Sequence, residues 1–360
     1  MERRSSTRRV FLGSSAVALT GLSGCLSRLT EGTGGGGDTG ENETDGSGGE
    51  GDDTTPDDEE REDSEPLDPP EGGAVVFVYD DGPIEDYTQA FPAHQAFDAP
   101  ATTGIVTEWI GRENYMGTDW MGVEHLEELE DAGWEICSHT VDHTAVGTFE
   151  LVEDAHSDDD RVYPDGIRHG YWEPRDLEIT DGQKTVTRTV LGWDEDETGR
   201  YIELDEPLGE SFTKGESLTR YPEDGMEEAL GESKRELESL GFEIDTFLAP
   251  YDSFDDYSRE FAIDHYMGIA NAEHGSRVND PDGFDPFYTE RDYFLEFTSP
   301  ESVIADLDEI ADRGALGVIG AHTFKDEVTE DGIYETLEWI DERGIEVMTL
   351  REAIERYGGQ

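Results

Sequence analysis

Two aspartates directly behind a strand-like apolar run are the first residues of this chain that could do chemistry. Residues 75–79 read VVFVY, and such a run of β-branched and aromatic side chains favours a buried strand. Asp80 and Asp81 follow at once, and Gly82 with Pro83 ends the strand. Ligands and catalytic groups of α/β proteins lie at the carboxyl ends of strands. The position therefore predicts a functional carboxylate pair, with a solvated acidic turn as the alternative.

A pair of histidines, His139 and His143, follows a second strand-like run at residues 134–137. One helical turn would place both rings on one face, and imidazole together with carboxylate fits zinc or a neighbouring divalent ion. Two exposed histidines at the start of a helix are the alternative. With Asp80 and Asp81 at another strand end, the pair predicts a three-ligand metal site that leaves a position open for water.

His322 ends a further apolar run, residues 317–321. A lone histidine at such a place is usually structural. As one of several polar groups at strand ends, it becomes a candidate general acid. Cys137 also follows an apolar run, and we predict that it is a small core residue rather than a nucleophile.

Strand-like and helix-like runs alternate from residue 72 to the end of the chain, and these elements must position the polar side chains. Seven or eight such units indicate an α/β fold whose strands form a (β/α) barrel more than an open sheet. The predicted strands are residues 75–79, 101–106, 134–137, 244–248, 266–270, 293–297, 316–319 and 345–348. The predicted helices are residues 84–97, broken near Pro92, and residues 120–132, 227–240, 301–313, 332–343 and 351–357.

Residues 150–222 interrupt this alternation. Short alternating runs separated by Gly, Asp and Pro predict a β-rich insertion that emerges after the histidine pair. The insertion could cover or extend a substrate groove, or it could be a surface elaboration. His156 and His169 within it lack ligand-like spacing, so we expect both at the surface.

Four segments carry a resemblance to the polysaccharide deacetylases, the NodB-homology family of carbohydrate esterase family 4 type. Residues 79–83 (YDDGP) resemble the T-F-D-D-G-P motif of that family, and residues 138–143 (SHTVDH) are similar to its H-[ST]-x-x-H motif. Residues 249–251 (APY) resemble the end of its R-x-P-Y motif, and the strand that ends at His322 resembles its L-x-H motif. The first two motifs together are specific, whereas the last two are weak individually.

The resemblance implies a distorted (β/α) barrel and a metal-dependent N-deacetylase. It implies that Asp81, His139 and His143 bind one divalent metal, expected to be zinc, with cobalt, nickel or manganese as alternatives. Asp80 would be the base that activates the metal-bound water. The metal and the backbone N–H of Tyr251 would hold the oxyanion, and His322 would protonate the departing amine.

The chain departs from the family pattern at three places. Leu248 stands where the third motif normally begins with Arg, and Gly320 stands where the last motif has Leu. The fourth motif, an Asp-and-Trp element that tunes the acid, is not recognisable between residues 271 and 293, where Arg277 or Arg291 could substitute. These departures leave the rate, the acyl group and the sugar open.

The charge of the chain restricts the salt conditions and the partners that suit the protein. Ninety acidic against 25 basic residues give a formal charge of −65. Such a charge strains a compact state by self-repulsion at ordinary salt, whereas a Debye length of about 3 Å near 1 M salt removes most of that strain. The composition therefore predicts a protein that works in brine, resembling those of extreme halophiles. It excludes a nucleic-acid partner, because nothing would neutralise the phosphates.

Residues 1–25 are predicted to be a targeting segment. Arg8 and Arg9 precede an apolar run at residues 10–22, and residues 5–12 resemble a twin-arginine export signal. Residues 22–25 (LSGC) resemble a lipobox, which implies lipidation of Cys25; an ordinary cleaved signal is the alternative. Residues 26–71 have almost no apolar side chains, so we expect a disordered acidic tether. Together these segments predict an exported protein, anchored by lipid to the outer face of the cell membrane. We expect a monomer, although the sequence says little about oligomeric state.

The leading hypothesis is a metal-dependent hydrolase that removes N-acetyl or related acyl groups from a cell-surface or extracellular glycan. A catalytically weak glycan-binding protein on the same scaffold is the first alternative, motivated by the missing Arg and fourth motif. A C–N hydrolase of a non-sugar amide is the second.

Overall fold

The computed structural model describes residues 68–358 of the chain. The predicted export signal at residues 1–25, its lipidation site Cys25 and most of the predicted tether lie outside these residues. Among the described helices, none is both long and apolar enough to cross a membrane.

Sixteen strands and seven α-helices make up the secondary structure of the described residues. The strands are β1 (Ala74–Tyr79), β2 (Thr102–Ile105), β3 (Glu135–Ser138), β4 (Phe149–Glu150), β5 (Arg161–Val162), β6 (Asp176–Thr180), β7 (Thr185–Glu195), β8 (Arg200–Leu204), β9 (Leu218–Arg220), β10 (Thr246–Phe247), β11 (Gly268–Ile269), β12 (Glu273–His274), β13 (Val278–Asn279), β14 (Glu290–Tyr293), β15 (Leu316–Ala321) and β16 (Glu346–Val347). The helices are α1 (Phe91–Gln95), α2 (Val123–Asp131), α3 (Glu223–Leu240), α4 (Asp256–Ala262), α5 (Pro300–Arg313), α6 (Glu330–Glu342) and α7 (Leu350–Tyr357). A π-helical turn at Asp86–Ala90 leads into α1, and 3-10 turns lie at Thr107–Trp109, Pro250–Asp252 and Pro281–Gly283.

The main sheet is parallel and curled. Its strands follow the order β11-β10-β3-β2-β1-β15-β14-β12, and β13 and β16 pair beside β15 and β1. Every neighbouring pair along that order runs parallel. The sheet forms a half-barrel in a mixed α/β fold, which confirms the predicted distorted (β/α) barrel.

Strand β1 lies at the centre of this sheet and is buried on both faces. Val75, Phe77 and Tyr79 pack into one apolar cluster, while Val76 and Val78 pack into a second one. A strand covered on both faces needs apolar residues at every position. This explains why the sequence before Asp80 is a continuous apolar run rather than an alternating one.

The strand register brings the polar strand ends together. Tyr79 pairs with Ala321, and the Asp80 amide donates to the Ala321 carbonyl at 3.1 Å. On the other side of β1, Ile105 of β2 pairs with Ser138 of β3. Asp80, His139 and His322 therefore all lie at the carboxyl edge of neighbouring parallel strands.

The segment expected to be a β-rich insertion forms a second sheet. Its six strands follow the order β4-β9-β6-β7-β8-β5, and every pair is antiparallel. Leu177, Ile179 and Val190 of this sheet belong to the same buried cluster as β1. The second sheet therefore packs into the core of the domain.

Three sequence expectations are wrong in detail. The segment from His139 to His143 is a loop rather than a helical turn, since Thr140 and His143 have φ of 61° and 57°. His169 is 1% exposed rather than at the surface, because its ring bonds to the Gly147 carbonyl and to Thr219.

The strand predicted at residues 293–297 instead covers Glu290–Tyr293. Its pairing with β15 ends where Tyr293 meets Gly320. The chain then turns toward α5, and Phe297 takes a φ of 58°. The apolar residues after Tyr293 extended the sequence pattern beyond the end of the strand.

Candidate active site

Asp81, His139 and His143 meet at the carboxyl edge of the main sheet. The Nε2 atoms of His139 and His143 lie 3.1 Å and 3.0 Å from Asp81 Oδ1. All three side chains are buried, and their ligand atoms lie within 4.8 Å of one another. A divalent ion about 2 Å from each atom fits this spacing.

The partners of His139 show that these three side chains fit a cation. The Nδ1 atom of His139 lies 2.6 Å from the Leu248 carbonyl, which can only accept a hydrogen bond. With the proton on Nδ1, Nε2 presents a lone pair to the carboxylate, as in metal-binding histidines. A cation between Nε2 and Asp81 satisfies both atoms.

The electrostatics of the cluster agree with a metal site. Burial would raise the pKa of Asp81, but the His143 and His139 rings outweigh it and hold that pKa well below its usual range. Burial also lowers the pKa of His143. Ionised carboxylate and neutral imidazole are the forms in which these side chains bind metals.

Asp80 points to a different set of partners. Its Oδ1 accepts from Arg291 Nη2 at 2.6 Å, and its Oδ2 lies 3.5 Å from His322 Nε2. Arg291 is 1% exposed, and Asp252 lies 3.7 Å from its second terminal nitrogen. A guanidinium buried this deeply needs such carboxylate partners. Arg277 is directed elsewhere, onto Asp306.

Gly320 makes room for Arg291. A Cβ atom at this position would lie 2.0 Å from Arg291 Nε, so the guanidinium could not keep its place beside any larger residue. The arginine of β14 therefore crosses the neighbouring strand β15 at its glycine to reach Asp80. Arg291 thus contacts Asp80 from another strand than the one that Leu248 follows, and Gly320 leaves the space that the arginine occupies.

Glu296 holds His322. One Glu296 oxygen lies 2.7 Å from His322 Nδ1 and accepts from the His322 backbone amide, also at 2.7 Å. Burial would lower the pKa of His322, but the charge of Asp80 and the bond to Glu296 outweigh it and raise this pKa to about 9. These two carboxylates therefore favour the imidazolium form of the ring, whose Nε2 lies toward Asp80. That is the form a general acid requires.

Tyr251 lies beside the histidines on a loop of unusual backbone geometry. Its ring centroid is 4.4 Å from that of His143, and Tyr251 and Asp252 have φ of 62° and 51°. Asn271 fixes this loop by bonding to both backbone groups of Ala249 and to Asp252.

Residues of the insertion that flank the strands of the second sheet hold the loop that carries His143. Arg175 bonds to Asp142 at 3.1 Å, and His169 Nε2 lies 2.9 Å from the Gly147 carbonyl. Tyr221 bonds to Thr144 at 2.6 Å. The insertion thus shapes the site as well as covering it.

A cleft of about 430 Å³ opens above the cluster. Its lining includes Asp81 and His143 from the main domain, Arg168, Tyr171 and Trp172 from the insertion, and Trp109, Trp120, Tyr251 and Phe324. A larger cleft of about 700 Å³ lies beside β6 and β9, but the metal-type cluster found among the described residues does not border it.

Sequence reasoning missed Glu296 and left Arg291 undecided. Glu296 lies inside the strand predicted at residues 293–297, so it is not identified as a strand-end group. Like Asp80, it is a carboxylate that follows an apolar run, and this signal could have identified it. The contact of Arg291 depends on the register of β14 against β15, which no local pattern shows. Trp172 and Arg168 carried no signal.

Comparison with known proteins gives one family-model match, to the polysaccharide deacetylases, over residues 68–163. That stretch contains Asp80, Asp81, His139 and His143. No curated protein matches the chain.

Several solved structures match the chain at low identity. A "T48 deacetylase with substrate" is 13% identical with a TM-score of 0.43, over 79% of this chain and 91% of that one. A carbohydrate esterase family 4 pseudoenzyme from Bacillus anthracis is 12% identical with a TM-score of 0.42, over 80% and 66%. A family 4 acetyl xylan esterase from Clostridium thermocellum, solved with cobalt, is 11% identical with a TM-score of 0.40, over 78% and 90%. The family-model match supports a relationship of this chain to the polysaccharide deacetylases.

Proposed function

We propose that this protein is a metal-dependent hydrolase that removes N-acetyl or related acyl groups from a cell-surface or extracellular glycan. The observation that carries the proposal is the pair of adjacent aspartates with separate partners. Asp81 faces two histidines, while Asp80 faces Arg291 and His322. Metal binding and proton transfer are thereby divided between neighbouring residues.

The residues around the cleft can carry out each proton transfer. A divalent ion held by Asp81, His139 and His143, with zinc first and cobalt, nickel or manganese as alternatives, would supply Lewis acidity at the acyl carbonyl. Asp80 takes a proton from the attacking water while Arg291 orients its carboxylate. The backbone N–H of Tyr251 donates to the developing oxyanion. His322, fixed by Glu296, gives a proton to the departing nitrogen as the C–N bond breaks.

Arg291 and Glu296 weaken the case for a protein that only binds glycans. That alternative rested on the missing arginine of the third motif and the missing acid-tuning residue of the fourth. Arg291 contacts the proposed base and Glu296 contacts the proposed acid, so both kinds of partner are present.

The proposed location follows from the first residues of the chain. An export signal at residues 1–25 and lipidation at Cys25 would place the domain on the outer face of the membrane, where glycans are accessible. Labelling with a radioactive lipid precursor and its loss in Cys25→Ala would test this anchor. Unchanged labelling in that variant would contradict it.

Asp80→Asn tests the assignment of the base. The amide keeps the shape of the side chain but cannot take a proton, so we expect kcat for acetate release from N-acetylglucosamine oligosaccharides to fall by about 10²–10⁴-fold. Metal content should stay at the parent level, because Asp80 is not among the ligands. Asp98→Asn, a change at an exposed aspartate, is the control.

The outcome separates the candidate functions. Acetate release by Asp80→Asn at the parent rate would overturn the assigned base. Release from small amides, with none from any oligosaccharide, would favour the non-sugar amide hydrolase. Oligosaccharide binding without any release would favour the binding protein.

A further inference from the structure

The insertion places an arginine, Arg168, in the wall of the cleft. Its guanidinium carbon lies 4.3 Å from the centroid of the Tyr251 ring and 5.1 Å from that of Tyr171. The His143 ring contacts the same Tyr251 ring at 4.4 Å. Arg168 is therefore separated from the metal-type cluster by one aromatic side chain.

Among residues 68–358, Arg168 lacks a carboxylate partner, although the chain has 90 acidic residues. Nearly every lysine and arginine among residues 68–358 has a carboxylate oxygen within 4.0 Å. The exceptions in that part of the chain are Arg168, Arg235 and Lys325. Glu85 also lines the cleft, but it accepts from Thr118 at 3.0 Å and is not paired with Arg168.

An unpaired arginine at this place is suited to an anionic ligand. Its donors form a planar fork that matches a carboxylate, and the Tyr251 and Tyr171 rings hold the guanidinium in place. The formal charge of −65 repels anions from the protein as a whole. An anionic substrate therefore needs a local cation at the site, and a direct contact in a partly buried cleft is screened less by salt than surface charges are.

The rest of the cleft suits a sugar chain. Trp172 donates from Nε1 to the Tyr251 hydroxyl at 2.9 Å, and its ring meets Trp109 edge-on at 6.0 Å. Large aromatic faces with a few fixed polar groups are typical of small-ligand sites. The apolar C–H face of a pyranose can pack on such rings while its substituents reach Arg168.

We propose that the insertion makes this site selective for acidic N-acylated glycans, with Arg168 pairing with a carboxylate on the sugar that is deacylated or on its direct neighbour. This inference rests on the proposed function for the deacylation reaction. The contact between Arg168 and a carboxylate does not depend on that reaction. A sulfate group would offer similar chemistry, so both kinds of anion belong in the test.

Matched oligosaccharides test the proposal. The acidic probe alternates N-acetylglucosamine with glucuronate, and the neutral probe is the same compound with its carboxylates reduced to alcohols. A sulfated version of the neutral probe distinguishes sulfate from carboxylate. The protein variants are Arg168→Gln, which removes the charge, Arg168→Lys, which keeps it, and Arg235→Gln, an exposed arginine on α3, as the control.

We expect the parent to prefer the acidic over the neutral probe in kcat/KM and in affinity. Arg168→Gln should reduce that preference by about 10–100-fold, as for a hydrogen bond to a charged group. Arg168→Lys should retain part of it, and Arg235→Gln should leave it unchanged.

The results separate this inference from the proposed function. Equal acyl release from the acidic and neutral probes would overturn the inference and leave the deacylation reaction standing. Binding of the acidic probe that depends on Arg168, without acyl release, would support the binding contact and overturn the deacylation reaction. A preference for sulfate alone, or one that persists in Arg168→Gln, would also overturn the carboxylate pairing, and no binding of any probe would count against both.

Discussion

At the scale of single residues, Asp80 and His322 have polar partners that lie far from them in the sequence. Asp80 lies between the Arg291 guanidinium at 2.6 Å and the His322 ring at 3.5 Å. Leu248, which stands where the motif has arginine, contributes a backbone carbonyl to His139 instead. The polar partners of Asp80 and His322, the proposed base and acid, therefore come from β14 and the residues behind it.

The pH dependence should report His322. In the proposed mechanism only the imidazolium of His322 donates to the leaving nitrogen, so acyl release should fall as the pH rises through the pKa of His322. Burial would lower this pKa, yet Asp80 and Glu296 raise it to about 9. A nearby divalent cation opposes the rise, so the alkaline limb of kcat/KM is expected at or below this value.

Glu296→Gln isolates the contribution of the partner. An amide does not stabilise the imidazolium as a carboxylate does, so the alkaline limb should move to lower pH. The measurement is the pH profile of kcat/KM, with Glu335→Gln, an exposed position on α6, as the control. An alkaline limb at the same pH in the parent and the variant would show that Glu296 does not raise the pKa of His322.

At the scale of elements, most strands of the main sheet were predictable from the sequence, whereas β12, β13 and the contacts between strands were not. The apolar run before Asp80 predicts β1 because both faces of that strand are buried, and Gly82 marks its end. The apolar run around Tyr293 predicts a strand that extends too far, because Phe294 is buried but does not belong to β14. The loop from His139 to His143 depends on positive φ values at non-glycine residues, which arise from tertiary contacts rather than from local preference.

Gly320→Ala tests the crossing of β15 by Arg291. The added Cβ atom would lie 2.0 Å from Arg291 Nε, so the guanidinium must move away from Asp80. We expect a lower kcat and a loss of about 1–3 kcal/mol in the free energy of unfolding, as for overpacked cores. Acetate release and urea unfolding in concentrated salt are the measurements.

Gly283→Ala provides the matched control, because a Cβ atom there has nothing within 4 Å. If Gly320→Ala behaved like Gly283→Ala in both assays, Arg291 would not depend on the glycine.

At the scale of the whole molecule, the excess of negative charge is the main feature that affects stability. The formal charge of −65 comes from 90 acidic and 25 basic residues. Exposed ion pairs such as Arg161–Asp196 contribute little each and cannot balance such an excess. The inference of a protein adapted to brine therefore rests on self-repulsion.

Salt should accordingly control stability. Lowering KCl from about 1 M to about 0.1 M lengthens the Debye length from about 3 Å to about 10 Å, and we expect the melting temperature to fall over that range. Circular dichroism at constant pH measures this directly. A melting temperature that did not change with salt would contradict the proposed adaptation.

Metal content is the measurement that tests the central claim most directly. The full chain, purified in concentrated salt, would be analysed by mass spectrometry beside His143→Ala and beside His156→Ala, a change at an exposed histidine of the insertion. We predict about one divalent ion per chain in the parent and in His156→Ala, and far less in His143→Ala. An absence of bound metal in all three proteins, even after incubation with zinc or cobalt, would contradict a metal-dependent hydrolase.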